Sequence, residues 1–171
     1  GFIGKNVEIT SPEKVSIGKD TSLHSGVIIH GGNKVFIGNK VIVEERALIK
    51  GGHEKDSQII IGDNCSIGAQ SYLDGVGGIK IGKNVLISPH TVIHSTQHSY
   101  SDKNSLIIEQ KRKFEGVTIQ DDVWIGANAT INPGVVIGKG AVIGSGSVVI
   151  EDIPEYTVAV GVPSRVVKER K

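Results

Sequence analysis

Histidines stand at positions 24, 30, 53, 90, 94 and 98, and the last two open the most irregular passage of the chain, His94 to Gly116, "HSTQHSYSDKNSLIIEQKRKFEG". An unperturbed imidazole titrates near pH 6.5, so it can take and return a proton at physiological pH. His90, His94 and His98 follow one another at i, i+4, a spacing that on a helix would align metal ligands. The segment has a hexapeptide period instead, so the three do not share a face and no metal is expected. Lys111-Arg112-Lys113 could meet a phosphate or could only keep the passage solvated. Gly18-Lys19-Asp20 and Gly82-Lys83-Asn84 lack the spacing and the Ser/Thr of a phosphate-binding loop.

The elements that must position these groups come from a repeat. Ile-Gly recurs at 3, 17, 37, 61, 67, 81, 125, 137 and 143, and an aliphatic residue returns every six positions. In units such as Ile61-Gly-Asp-Asn-Cys-Ser and Ile137-Gly-Lys-Gly-Ala-Val the fifth position is small or branched (Cys65, Ser71, Val85, Ala129, Ala141, Ser147). Both positions suit a narrow interior, with Gly and Asn making the turn. A six-residue unit cannot bury its own side chain and must stack on its neighbours. Three units make one triangular coil. Corresponding isoleucines at 17, 37, 61, 81, 119 and 137 are separated by at least three hexads, and the excess falls after the third hexad, beside Gly31-Gly32, Gly51-Gly52 and Gly77-Gly78. One corner of the prism therefore collects the insertions, and His94–Gly116 is the largest. Six or seven coils predict a rod of roughly 30 Å. In this register Asp74 lies one strand spacing from His94, where it could orient a histidine or bind a hydroxyl; Asp74-Gly75 reads equally as a turn.

The 171 residues carry 19 basic and 18 acidic groups, well mixed, with aromatics at 4%. Nothing global points to nucleic acid or an anionic membrane. The single cysteine, Cys65, cannot form an internal disulfide, and no apolar run is long enough for a membrane span, so a cytoplasmic setting is the default. The chain opens at Gly1 in mid-pattern and contains no Met, which reads as a native start lying upstream. A structural rod would keep its coils uniform, and the excursion breaks that uniformity where a rigid scaffold commonly carries function.

Val117 to Lys168, "VTIQDDVWIGANATINPGVVIGKGAVIGSGSVVIEDIPEYTVAVGVPSRVVK", together with "IGKNVLISPHTVIHSTQHSY" from Ile81, resembles the hexapeptide-repeat acyltransferases. The nearest subgroup is the sugar and polysaccharide O-acetyltransferases, which include the galactoside and maltose enzymes. The resemblance implies an all-β, left-handed parallel β-helix over 1–152, a protruding loop over about 98–117 and a C-terminal tail over 153–171. The stack would stop at Pro154 and Pro163. It further implies a homotrimer with acetyl-CoA held between prisms, and acetyl transfer to a sugar or glycan hydroxyl without a metal. Counting from Ile81 puts the family's catalytic base at His98, with His94, Asp74 and Tyr100 lining the acceptor side. Trp124, outward-facing in the repeat, the Ala127 N–H, Ser145, Ile150, Glu151, Arg165 and Lys168 match donor-binding positions. The arm residues Asp102, Asn104, Gln110 and Lys111–Lys113 would reach over the acceptor. The asparagine of the galactoside pattern falls at Gly68 here, which argues against simple galactosides or maltose. Other readings are N-acetylation of an amino-sugar nucleotide, antibiotic O-acetylation, and a solenoid assembly module without catalysis.

Overall fold

Strands two to six residues long alternate inward aliphatic with outward side chains, and none can bury its inward face alone, so they stack. The computed structural model describes residues 1–55 and 57–171, and these form a left-handed parallel β-helix with three faces. The first face is seven parallel strands running from Glu8–Thr10, through Ile28–His30, Leu48–Gly51, Tyr72–Gly75 and Val92–His94, to Thr130–Ile131 and Val148–Val149. The second face runs from Val15–Ile17 to Val136–Ile137, and the third from Ser22–Leu23 to Thr157–Gly161. Seven rungs at about 4.8 Å span close to 30 Å.

The register is the one the isoleucines predict: Ile17, Ile37, Ile61, Ile81, Ile119 and Ile137 pair in succession along the second face. All but the terminal Ile17 are buried, as are the small fifth-position residues Cys65, Ser71, Val85, Ala129, Ala141 and Ser147. Full burial of one such aliphatic side chain stabilises the fold by about 1.5–3 kcal/mol. Fourth positions turn the corner in the left-handed region, with φ of 57° at Asn64, 58° at Asn84 and Asn128, and 60° at His90. Asparagine tolerates that conformation best. His90 is therefore a turn residue, set apart from His94, which sits on a strand.

The corner between the first and second faces carries 31–34, 52–55, 57–58, 76–78 and 95–116, so the insertions do stack on one edge. Two boundaries differ from expectation. The protrusion is a two-stranded antiparallel ribbon, Thr96–His98 against Arg112–Phe114, and the chain leaves the helix at Ser95 rather than at His98. The stack also continues past Asp152. Ile153 bridges Ile137, and Val158 and Ala159 pair in parallel with Val142 and Ile143, before Ser164–Glu169 folds back antiparallel. Pro154 lies at a corner between these rungs, outside any strand, where its missing N–H costs no ladder bond. Ile153 and Ala159 keep the inward pattern and are buried. No helix among the described residues is long and apolar enough to cross a membrane.

Candidate active site

Where the first face ends, the outward side chains of successive rungs form a polar column. Strand register aligns Thr10, His30, Lys50, Asp74 and His94, and the column continues at Asn132. His94, half-buried, donates Nε2–H to the Asn132 side-chain oxygen at 3.1 Å, while its Nδ1 lies 3.4 Å from the Thr96 carbonyl. On the other side is the buried Asp74, with Lys50 Nζ 3.9 Å from its Oδ1. Among the described residues, two buried side-chain oxygens lack a hydrogen-bond partner, Asp74 Oδ1 and Thr96 Oγ1, and both flank His94. Burial, reinforced by the Asp74 carboxylate, pushes the nearby Tyr72 phenol above its ordinary value and keeps it protonated.

Ser95 is the pivot of the ribbon. It is fully buried; its Oγ–H donates to the Asp74 carbonyl at 2.7 Å and accepts the Gly77 N–H at 2.8 Å, and its carbonyl accepts the Glu115 N–H at 2.9 Å. A Cβ at Gly77 would come within 2.0 Å of that carbonyl, so only glycine admits the close approach. The two bases of the ribbon are thus bonded to each other and to the coil beneath. His98 follows on the ribbon, paired across it with Arg112 and exposed, and no described residue hydrogen-bonds its ring. His98, Tyr100 and Lys113 line a pocket of about 160 Å³. His98 and His94 are therefore distinct: one ring is held in the column, the other is exposed on the ribbon.

The arm differs from the sequence expectation. Asp102 accepts the Ser105 hydroxyl at 2.7 Å and the Asn104 N–H at 2.9 Å, which hold its carboxyl below the usual range. Gln110 donates to the carbonyls of Asp102 at 2.9 Å and Ser105 at 3.1 Å. The side chains of Asp102 and Gln110 are thus spent on the arm's own turns rather than held out toward an acceptor.

Of the expected donor residues, Trp124 is outward and half-exposed, with Nε1–H donating to Ser88 Oγ at 3.1 Å. At the next corner the N–H groups of stacked rungs are engaged differently. The Ala69 N–H is taken by Glu44 at 2.9 Å, Pro89 has none, and the Ala127 N–H meets no described partner. A Cβ at Gly126 would lie 2.5 Å from the Ser145 nitrogen, so the two rungs touch at backbone distance. Ser145 and Ile150 are exposed, and Glu151 pairs with Arg165 at 3.8 Å. Lys168 lies opposite Val158 on the strand that folds back. No cluster of three metal-ligating side chains occurs among the described residues. Sequence reasoning missed Ser95 and Asn132. Asn132 follows Ile131, the register partner of Ile93, as His94 follows Ile93, so carrying the hexad count across the excursion would have found it.

Comparison with known proteins agrees with this architecture. Residues 116–151 match the family described as bacterial transferase hexapeptide (six repeats), and residues 58–89 match the hexapeptide repeat of succinyl-transferase. The chain is 44% identical to the galactoside O-acetyltransferase of Escherichia coli over 91 residues, 53% of this chain and 44% of that protein. A single-site variant of AntD, an N-acyltransferase from Bacillus cereus solved with dTDP and coenzyme A, superposes with a TM-score of 0.65 at 26% identity, covering 99% of this chain and 84% of that one. A maltose O-acetyltransferase from Clostridium difficile does so with a TM-score of 0.58 at 26% identity, covering 99% and 66%. The chain spans about half the length of the curated relatives it matches. Its repeats thus match hexapeptide-transferase models, and the relatives and solved structures it resembles are acyltransferases.

Proposed function

We propose that the chain is the β-helix of an acetyl-CoA-dependent O-acetyltransferase acting on a hydroxyl of a sugar or surface polysaccharide, working as a homotrimer with its sites between prisms. The observation that carries this reading is His98: an unpartnered imidazole on a ribbon locked to a hexapeptide coil through Ser95. Its neutral ring takes the acceptor hydroxyl proton as the oxygen attacks the thioester carbonyl. The tetrahedral intermediate then collapses, the C–S bond breaks, and the imidazolium returns the proton to the coenzyme A sulfur. The N–H of Ala127, without a partner among the described residues, is suited to the donor carbonyl or to the oxyanion that forms from it. His94, Asp74 and Tyr100 line the acceptor side. Trp124, Ser145, Ile150, Glu151, Arg165 and Lys168 flank the donor, the two basic groups suiting its phosphates.

The likeness to AntD, also solved with dTDP-4-amino-4,6-dideoxyglucose and coenzyme A, supports a second reading with the same donor and an amino-sugar nucleotide as acceptor. Two measurements test the proposal. Acetyl-CoA should raise the melting temperature, and thiol release should appear with one class in a panel of sugars, glycans and amino-sugar nucleotides. Absence of a donor-induced shift defeats the enzyme reading, and turnover confined to amines moves it to N-acetylation.

A further inference from the structure

The edge that collects the insertions holds a second pocket, of about 420 Å³, on the N-terminal side of the His94 column. His30 lines it from one coil, Lys50 and His53 from the next, and Arg112 enters it from the ribbon. The sequence left Lys111–Lys113 undecided between phosphate recognition and solvation; the structure separates its members. Lys113 pairs with Gln97 and lines the small His98 pocket, whereas Arg112, paired with His98 itself, turns toward the coils. Among the described residues no carboxylate pairs with Arg112, whose guanidinium lies 5.7 Å from the Phe114 ring centre.

The remaining groups suit an anion. Thr10 Oγ1 engages His30 Nδ1 at 2.9 Å, which leaves Nε2 for a ligand. Lys50 stands 3.9 Å from Asp74, beyond hydrogen-bond reach and open to a competing oxyanion. Glu54 is the one carboxylate among the described lining residues, set against Lys50, Arg112 and two imidazoles. Gly32, Gly51 and Gly52 wall the pocket with backbone; a Cβ at Gly32 would lie 2.5 Å from the Gly51 and Gly52 backbones. A planar guanidinium, an ammonium and two imidazoles converging on a glycine-walled hollow form a phosphate-binding set.

We propose that this pocket binds the phosphate or diphosphate of a phosphate-linked sugar, with Arg112 gripping the anion while its cross-strand neighbour His98 faces the sugar hydroxyl. The substrate class is then a glycosyl phosphate ester, carried by a nucleoside or by a lipid. This rests on the reading of His98 as the base, yet its test is binding without turnover. Inorganic pyrophosphate, UDP-N-acetylglucosamine and farnesyl diphosphate are titrated calorimetrically into the full chain without acetyl-CoA. Pyrophosphate should bind saturably, more weakly as salt rises, with the nucleotide or the prenyl compound tighter according to the natural carrier. Arg112→Gln and His53→Gln should each weaken binding roughly tenfold to a hundredfold. Failure of all three ligands to bind at millimolar concentration overturns the proposal, as does binding that ignores both pocket substitutions. Thiol release from acetyl-CoA with neutral sugars, measured separately, reports on the catalytic reading alone.

Discussion

Replacing Ser95 by Ala tests how the ribbon is held. The hydroxyl is fully buried and makes two bonds, to the Asp74 carbonyl at 2.7 Å and from the Gly77 N–H at 2.8 Å. The carbonyl keeps the Ser95 N–H at 3.1 Å, so its loss is partial. The half-buried Gly77 N–H loses its one acceptor, and with the weakened bonding of the Asp74 carbonyl the cost is about 1–3 kcal/mol. At about 2 kcal/mol the melting temperature of a chain this size should fall by about 4–8 °C. Exchange of the Gly77 amide should accelerate, since its protection depends on that one acceptor. Turnover should fall more than stability does, because the ribbon base sets where His98 stands and a displacement of about 1 Å can cost about a hundredfold in rate. Calorimetry, amide exchange and thiol release read these three consequences. Melting within about 1 °C of the parent, with Gly77 exchange and turnover unchanged, would refute the assignment of Ser95 as the pivot.

Other substitutions probe the core and the donor side. Ile93→Ala, at a fully buried rung beside His94, should cost about 2–5 kcal/mol in urea unfolding through the cavity it leaves. Burial pushes the Cys65 thiol up from its ordinary value. In the unfolded chain that thiol ionises near pH 8.5, so above that pH the unfolded state has released a proton the folded state retains and stability falls. The urea midpoint should therefore decline between about pH 8.5 and 10 more steeply than in Cys65→Ser, and native labelling by a maleimide should be slow until urea is added. Because Trp124 is the sole tryptophan and half-exposed, acetyl-CoA should change its fluorescence, and Trp124→Leu should weaken donor binding by about tenfold or more with melting little altered.

The solenoid was legible because its cause is local. A six-residue period with inward Ile and small fifth positions admits one way of burying both, and Ile37, Ile61, Ile81 and Ile119 stack as that period requires. The corner of insertions followed from the same count. The excursion itself was not legible: residues 95–116 have no period, and nothing in Thr96-Gln97-His98 and Arg112-Lys113-Phe114 announces that they pair. That pairing turns Arg112 and Lys113 to opposite pockets and consumes Asp102 and Gln110 inside the arm. The late end of the stack was missed because Pro154 was read as a strand breaker, whereas it occupies a corner and the inward pattern resumes at Thr157 and Ala159.

The most direct test of the central claim is His98→Ala, assayed for acetyl-CoA binding and for thiol release with the acceptor the panel identifies. Loss of a general base predicts turnover reduced by about a hundredfold or more, with donor affinity and melting temperature those of the parent. Full turnover in that variant would contradict the account.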